Sequence, residues 1–181
     1  LNYRASLWKS LGGYKAAQKI NQEIVKYVDV LFGNEEDFTA CLGFEIEGVD
    51  SKLNVLPEDS FKNMISKVEK TYKNLNIIAT TLRKVLTANS NDWSAIAWSR
   101  NNGFVESINF PKLDIYDRVG GGDGFASGFI YGIMEGLDLK EAINIGTAHG
   151  ALAMTTPGDT SMVSIDEVKS LIKNPSARVS R

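Results

Sequence analysis

Gly124, Gly128, Gly132 and Gly136 recur every fourth residue through an apolar stretch that also carries Phe125, Phe129 and Ile133. Four-residue spacing sets these positions along one side of an α-helix. Each interior glycine costs such a helix about 1 kcal/mol against alanine. A stripe of them is tolerated where a neighbouring helix comes too close to admit side chains. The sequence therefore predicts two helices packed backbone to backbone, with Phe125, Phe129 and Ile133 facing a core. With 181 residues, 43% hydrophobic content and a formal net charge of -2, the chain fits one soluble domain over residues 1–181, without repeat, low-complexity tract or second-domain linker.

The stripe is entered through Asp117-Arg118-Val119-Gly120-Gly121-Gly122-Asp123. Three glycines and an acidic residue ahead of a helical pattern describe a backbone turn opening into a helix N-terminus, whose unpaired N–H groups and positive dipole end suit an anion. Glycines let those groups approach a phosphate closely. A carboxylate in the first turn, Asp123, can take a proton from an attacking hydroxyl. The chemical reading is a phosphotransferase with Asp123 as base and the amides of Gly120, Gly121 and Gly122 as charge stabilisers. The plainer reading is a glycine turn with an ordinary first-turn carboxylate. Two better-known phosphate loops are excluded: Gly122 is followed by Asp123 and Gly124 where a P-loop needs Lys and Ser or Thr, and the glycine spacing fails the dinucleotide pattern.

Composition narrows the partners. A near-neutral balance gives no reason to expect nucleic acid. One Cys and one His allow neither an intrachain disulfide nor a Cys/His zinc site from this chain alone, and Cys41 reads as a buried small hydrophobe in a reducing compartment. No apolar stretch approaches the roughly 20 residues of a membrane span and no signal peptide is visible, so the cytoplasm is the expected compartment.

In chain order, Asn2-Tyr3-Arg4 reads as a strand end leading to a loop around Ser6 and Gly12-Gly13. Ala17, Ile20, Ile24 and Val25 predict an amphipathic helix over 14–27, and Val28 to Phe32 a buried strand closed by Gly33-Asn34. Asn34-Glu35-Glu36-Asp37 heads a further helix with Asn34 as N-cap; alternatively, carboxylates at a strand end could hold the Mg²⁺ of a nucleotide through water. Residues 43–57 read as a polar loop with Pro57 at a helix start, followed by Phe61, Met64, Ile65, Val68 and Tyr72 at helical spacing. A strand is expected over 76–81, then a hairpin pairing 93–98 with 103–108 across Asn101-Asn102-Gly103. Asp138 and Glu141 form a capping box for the second helix of the close pair. His149, the only histidine, reads as a packed or hydrogen-bonded helix residue. Thr155-Thr156-Pro157-Gly158-Asp159 ends that helix, and Ser164 begins a last short one. Strands alternating with helices and a late hairpin indicate an α/β sheet with helices on both faces.

Gly120-Gly121-Gly122-Asp123, preceded by Asp117, resembles the second signature of the ribokinase-like (PfkB) carbohydrate kinases, usually Gly-Ala-Gly-Asp after Asp-Thr-Thr. The form with Arg118-Val119 and Gly121 is similar to that of the 2-keto-3-deoxygluconate kinases. Asn2-Tyr3-Arg4 resembles the tail of their Asp-x-Asn-x-Arg segment. Gly33-Asn34-Glu35-Glu36-Asp37 resembles their Asn-x-x-Glu motif, with Asp37 one methylene shorter, and Thr155 to Asp159 is similar to their Thr-x-x-Gly-Asp loop. These matches follow the family's order over nearly the whole chain.

The resemblance implies a ribokinase-like three-layer α/β/α sandwich, incomplete, with the family's N-terminal half and β lid absent, so that residues 1–181 are the C-terminal nucleotide-binding and catalytic portion. It implies ATP-dependent phosphorylation of a sugar acid, 2-keto-3-deoxygluconate to its 6-phosphate, with ATP, Mg²⁺ and K⁺ as cofactors and a homo-oligomeric intact protein. Asp123 would be the base, with Gly120, Gly121 and Gly122 forming the anion hole. Arg4 and Asp159 would bind the sugar acid beside Asp123, the guanidinium suiting a carboxylate. Asn2, Thr81, Arg83, Gly120, Gly122 and Thr147 would meet the nucleotide. Asn34 and Asp37 would arrange Mg²⁺ through water, and Asp117 would help hold the monovalent cation. One segment departs from the pattern: Thr81-Leu82-Arg83 stands where the family has Lys-x-Gly, so Arg83 is either a phosphate contact or a solvated arginine. Other members of the same group, of ribokinase or fructokinase type, are the alternative within the family. A truncated nucleotide-binding module with little activity of its own is the alternative outside it.

Overall fold

The computed structural model describes residues 1–45, 58–158 and 160–175. They form two compact units, the first from residues 1–80 and 97–104, the second from 81–96 and 105 onward. No helix among the described residues is long and apolar enough to cross a membrane.

The first unit starts with an extended segment whose Leu1 nitrogen donates to the Phe32 carbonyl at 2.5 Å. The loop expected around Ser6 is instead a helix, α1 (Ala5–Ser10), held by its one buried side chain, Trp8. A lone tryptophan carries no helical period, so only its burial fixes this turn. After Gly12 comes α2 (Gly13–Ile24), tightened at its end into a 3₁₀ turn, Val25–Tyr27. Ala17 and Val25 are buried as expected, whereas Ile20 and Ile24 of the predicted apolar face are exposed. Strand β1 (Val30–Gly33) pairs in parallel with β2 (Ile77–Thr87), from Val30↔Ile77 to Gly33↔Thr80.

Asn34 then caps α3 (Glu35–Asp37): its side chain accepts the Asp37 N–H at 2.8 Å while Asp37 Oδ2 accepts the Asn34 N–H at 3.1 Å. A buried π-helical turn follows, Phe38–Leu42, containing Cys41, whose thiol pKa is raised by burial. Residues 46–57 of the loop predicted over 43–57, with Pro57, lie outside the described residues. Helix α4 (Glu58–Thr71) buries Phe61, Met64, Ile65 and Val68 at the expected spacing. Arg100 donates to the Lys73 and Leu75 carbonyls at 2.5 and 2.7 Å, fixing the chain entering β2. The strand order in the sheet is β1-β2-β3-β4, where β3 is Ser90–Ser99 and β4 is Gly103–Glu106.

In the second unit, β2 continues to Thr87, well past the strand expected over 76–81, so Thr81 and Arg83 sit on a strand and not in a loop. Thr80-Thr81-Leu82 and Lys84-Val85-Leu86 favour extended backbone. Strand β5 (Phe110–Asp114) pairs antiparallel with β3 and was not legible in the sequence, because Pro111 within a short run argues against a strand. It carries one extra residue between the Asn91↔Leu113 and Trp93↔Phe110 pairs; Lys112 has φ +53 there and its N–H donates to Asp92 Oδ1 at 2.9 Å.

Helices α5 (Gly121–Met134) and α6 (Leu139–Met154) make the predicted close pair. A Cβ built at Gly132 would lie 2.7 Å from Ala142 Cα, one at Gly128 3.0 Å from the Ile145 carbonyl oxygen, and one at Gly124 3.1 Å from Ala153 Cβ. The approach is reciprocal, since a Cβ at Gly146 would lie 2.7 Å from the Phe125 carbonyl oxygen. Gly136 does not belong to this stripe. It has φ +72 with open space around it, and it ends the helix where other residues would be strained. Asp138 caps α6 with Glu141, and Ser164 caps α7 (Ile165–Lys173) with Glu167, both as reciprocal boxes.

Candidate functional site

The glycine turn of the second unit is anchored at both ends. The N–H groups of Tyr116 and Asp117 both donate to the Met154 carbonyl, at 2.9 and 3.2 Å. Asp117 Oδ1 accepts the Val119 N–H at 3.0 Å, and the Arg118 guanidinium donates to the Ala88 carbonyl at 2.8 Å. Gly120 then takes φ +84 as the N-cap, a conformation open to glycine. A Cβ at Gly121 would lie 2.7 Å from Met154 Cγ, so Gly121 is needed for the turn to rest on α6. Gly122 is exposed with nothing within 4 Å of its would-be Cβ. No side chain caps α5. Its first-turn N–H groups are therefore left for an external acceptor, with the dipole adding positive potential. Asp123 is exposed in this turn and makes no hydrogen bond or ion pair among the described residues. An uncapped anion cradle beside a free carboxylate can bind a phosphoryl group and accept a proton.

Met154 is the residue of this site that sequence reasoning missed. Its carbonyl and side chain brace the turn, yet in the sequence it is one more apolar residue of a buried helix.

In the first unit the structure brings two separated motifs together. Asp37 is buried, and its Oδ1 accepts the Tyr3 N–H at 2.9 Å while its Oδ2 serves the Asn34 cap. Asn2 and Arg4 flank Tyr3 with exposed side chains. The N-cap reading of Asn34 thus holds, and the same contact fixes the Asn2-Tyr3-Arg4 segment against the turn after β1. Among the described residues, no three His, Cys, Asp or Glu side chains gather to hold a metal. That donor set fits Mg²⁺ only in the form it takes with nucleotides, bound mainly through phosphates and water with one or two carboxylates.

Thr81 is partly exposed and Arg83 exposed on β2. Thr147, expected at the nucleotide, is fully buried in α6: its hydroxyl donates to the Ile143 carbonyl at 2.8 Å and its own carbonyl accepts the Trp93 indole N–H at 3.0 Å. In this arrangement its side chain is a core group and not a nucleotide contact. Asp159, expected at the sugar acid, lies outside the described residues.

His149 is a hydrogen-bonded helix residue, as its sequence context indicates. Its Nδ1 is 3.1 Å from Ser127 Oγ and its Nε2 2.8 Å from Ser161 Oγ, beside an apolar groove of about 240 Å³ that Tyr131, Ile145 and Val168 help line. Burial lowers its pKa from 6.5, only partly offset by a hydrogen bond involving the Gly124 backbone. Neutral His149 therefore favours the folded state above its unfolded pKa, and this contribution falls as pH drops through 6.5 towards the depressed folded value. Melting curves from pH 7.5 to 5 should show His149→Gln losing less stability on acidification than the wild type. An identical slope in both proteins would remove His149 from the acid response.

The family model described as pfkB family carbohydrate kinase matches residues 1–166. Over 59 residues the chain is 46% identical to 2-dehydro-3-deoxygluconokinase of Bacillus subtilis, covering 33% of this chain and 18% of that protein. Over 175 residues it is 27% identical to 5-dehydro-2-deoxygluconokinase of Clostridium perfringens, covering 96% of this chain and 44% of that protein. Among solved structures, 2-dehydro-3-deoxygluconokinase from Thermotoga maritima superposes with a TM-score of 0.84 at 34% identity, covering 96% of this chain and 49% of that one. The chain spans half or less of the length of each of these relatives.

Proposed function

Because this chain belongs to the pfkB family of carbohydrate kinases and shares their ribokinase-like α/β fold, we propose that its protein transfers the γ-phosphoryl group of ATP to the primary hydroxyl of a keto-deoxy sugar acid, with 2-keto-3-deoxygluconate as substrate and its 6-phosphate as product. The observation that carries this reading is the uncapped glycine turn with Asp123 free in its first helical turn. In the transfer, Asp123 accepts the proton of the sugar hydroxyl as that oxygen bonds to phosphorus and the bond to ADP breaks. The N–H groups of the Gly120, Gly121 and Gly122 turn stabilise charge on the transferring group. Little else is asked of the protein chemically, so position and electrostatics carry the rate.

The remaining roles follow the family pattern. Arg4 and Asp159 bind the acid, a carboxylate matching the guanidinium fork. Asn2, Thr81 and Arg83 face the nucleotide. Asn34 and Asp37 order the Mg²⁺ that accompanies it, whose chemistry is to neutralise phosphate charge, and Asp117 supports a monovalent cation. Arg83 is exposed on β2 and free to reach an anion.

One observation favours a second substrate of the same class. The Clostridium perfringens relative that aligns over 96% of the chain is named for 5-dehydro-2-deoxygluconate. Both acids offer a carboxylate and a primary hydroxyl, and they differ in where the ketone and the deoxy carbon sit. ADP release by the full-length protein, with ATP and Mg²⁺ and each acid in turn, beside ribose and fructose, decides between them. The expected result is kcat/KM for 2-keto-3-deoxygluconate about tenfold or more above the other acid, a difference of about 1.4 kcal/mol in transition-state binding. The reverse order would assign the second substrate. Turnover of ribose or fructose alone would overturn the sugar-acid assignment and keep the kinase.

A further inference from the structure

Asn91 on β3 is fully buried, and neither its Oδ1 nor its Nδ2 has a hydrogen-bond partner among the described residues. A buried carboxamide in that state loses its hydration without a compensating hydrogen bond, so a fold gains nothing by keeping it for packing alone. Its place in the second unit suggests what it is kept for. Asn91 pairs with Leu113 just before the β5 irregularity at Lys112, and two residues earlier the Asn89 carbonyl accepts the Ile115 N–H at 2.8 Å. The chain therefore leaves β5 for the glycine turn directly beside the start of β3. Strand alternation puts Asn91 on the same face of β3 as Trp93. That face supports the end of α6 and the turn: a Cβ at Gly150 would lie 3.1 Å from Trp93 Cζ2 and 2.8 Å from the Gly121 carbonyl oxygen.

We infer that Asn91 is a positioning residue for phosphoryl transfer, its carboxamide pairing with the backbone of the turn over 115–121 when that turn closes its N–H groups on a phosphate. It touches no reacting atom and acts through the turn. The inference rests on the kinase reading above and adds a residue to it. A group that lacks partners in one state and gains them in another lowers stability in the first and favours the second.

The test is Asn91→Leu in the full-length protein, which removes the amide and keeps a similar volume. The expected result is kcat lower by about tenfold with KM for the sugar acid within about twofold of wild type. The melting temperature without ligand should be unchanged or higher, because an unpaired buried amide has been replaced by an apolar group, and the rise produced by ATP should be smaller than in the wild type. A wild-type kcat in the variant would overturn the inference. So would a lower melting temperature with an undiminished ATP response, since that pattern belongs to an amide the fold itself requires. If the leucine variant does not fold, Asn91→Ala carries the same expectation for kcat and for the ATP response. Failure of the kinase reading is separate and visible first: wild-type protein that phosphorylates no sugar or sugar acid defeats that reading, whereas active wild type with an equally active Asn91→Leu defeats only the role of Asn91.

Discussion

Asp123→Asn is expected to lower kcat by about 10² to 10⁴, the range a positioned general base contributes, while the affinity for ATP changes by less than about threefold. The asymmetry follows from the geometry. The first-turn N–H groups that would hold phosphate are backbone groups of a turn fastened by Met154 and Arg118, and none of those contacts involves the Asp123 side chain. Asn keeps the size of the side chain but cannot accept the hydroxyl proton. Asp123 is exposed and makes no bond within the fold, so the melting temperature should stay within a degree or two of wild type, in line with the roughly half kcal/mol of an ordinary surface change. Steady-state kinetics with nucleotide binding measured separately checks all three. Retained turnover would reduce Asp123 to an ordinary first-turn carboxylate.

Gly146→Val is expected to be the most destabilising single change in the α5–α6 pair. A Cβ at Gly146 would meet the Phe125 carbonyl oxygen at 2.7 Å, Phe129 Cβ at 3.0 Å and the Phe129 nitrogen at 3.1 Å. Two of these are backbone atoms of the facing helix, so no rotamer change relieves the contact and the helices must separate. Overpacking of this kind costs about 1–3 kcal/mol, and valine's branched side chain puts the cost at the upper end. At about 2–4 °C per kcal/mol for a chain of this size, the melting temperature should fall by about 5–10 °C. Gly136→Ala is the control: its site is open space at φ +72, so only backbone strain of about 1 kcal/mol applies. Equal losses in the two variants would mean that the helices part freely and that the glycine stripe is not a packing device.

The glycine stripe shows what the sequence determined unaided. Three of its four members, Gly124, Gly128 and Gly132, lie against α6 as the four-residue period requires. The caps at Asn34 and Asp138 were equally legible, because each is a bond between residues three apart. So was the glycine turn into α5, since a turn conformation and a free helix end are local properties of the residues that form them. The family pattern singled out Asn2-Tyr3-Arg4 and Asn34 to Asp37 as separate motifs, and the bond from the Tyr3 N–H to Asp37 that joins them is seen only in the structure.

Tertiary structure decided the rest. Helix α1 exists around one buried tryptophan, β2 continues to Thr87 beside β3, and β5 forms despite Pro111 because β3 offers it a partner. Gly136 turned out to end a helix, Thr147 to fill the core, and Met154 to hold the glycine turn in place. Each of these depends on what a residue meets from a distant part of the chain. Local propensity is worth only tenths of a kcal/mol per residue, whereas burial of one large side chain or loss of one buried hydrogen bond is worth one or more. Where the two disagree, the distant contact wins.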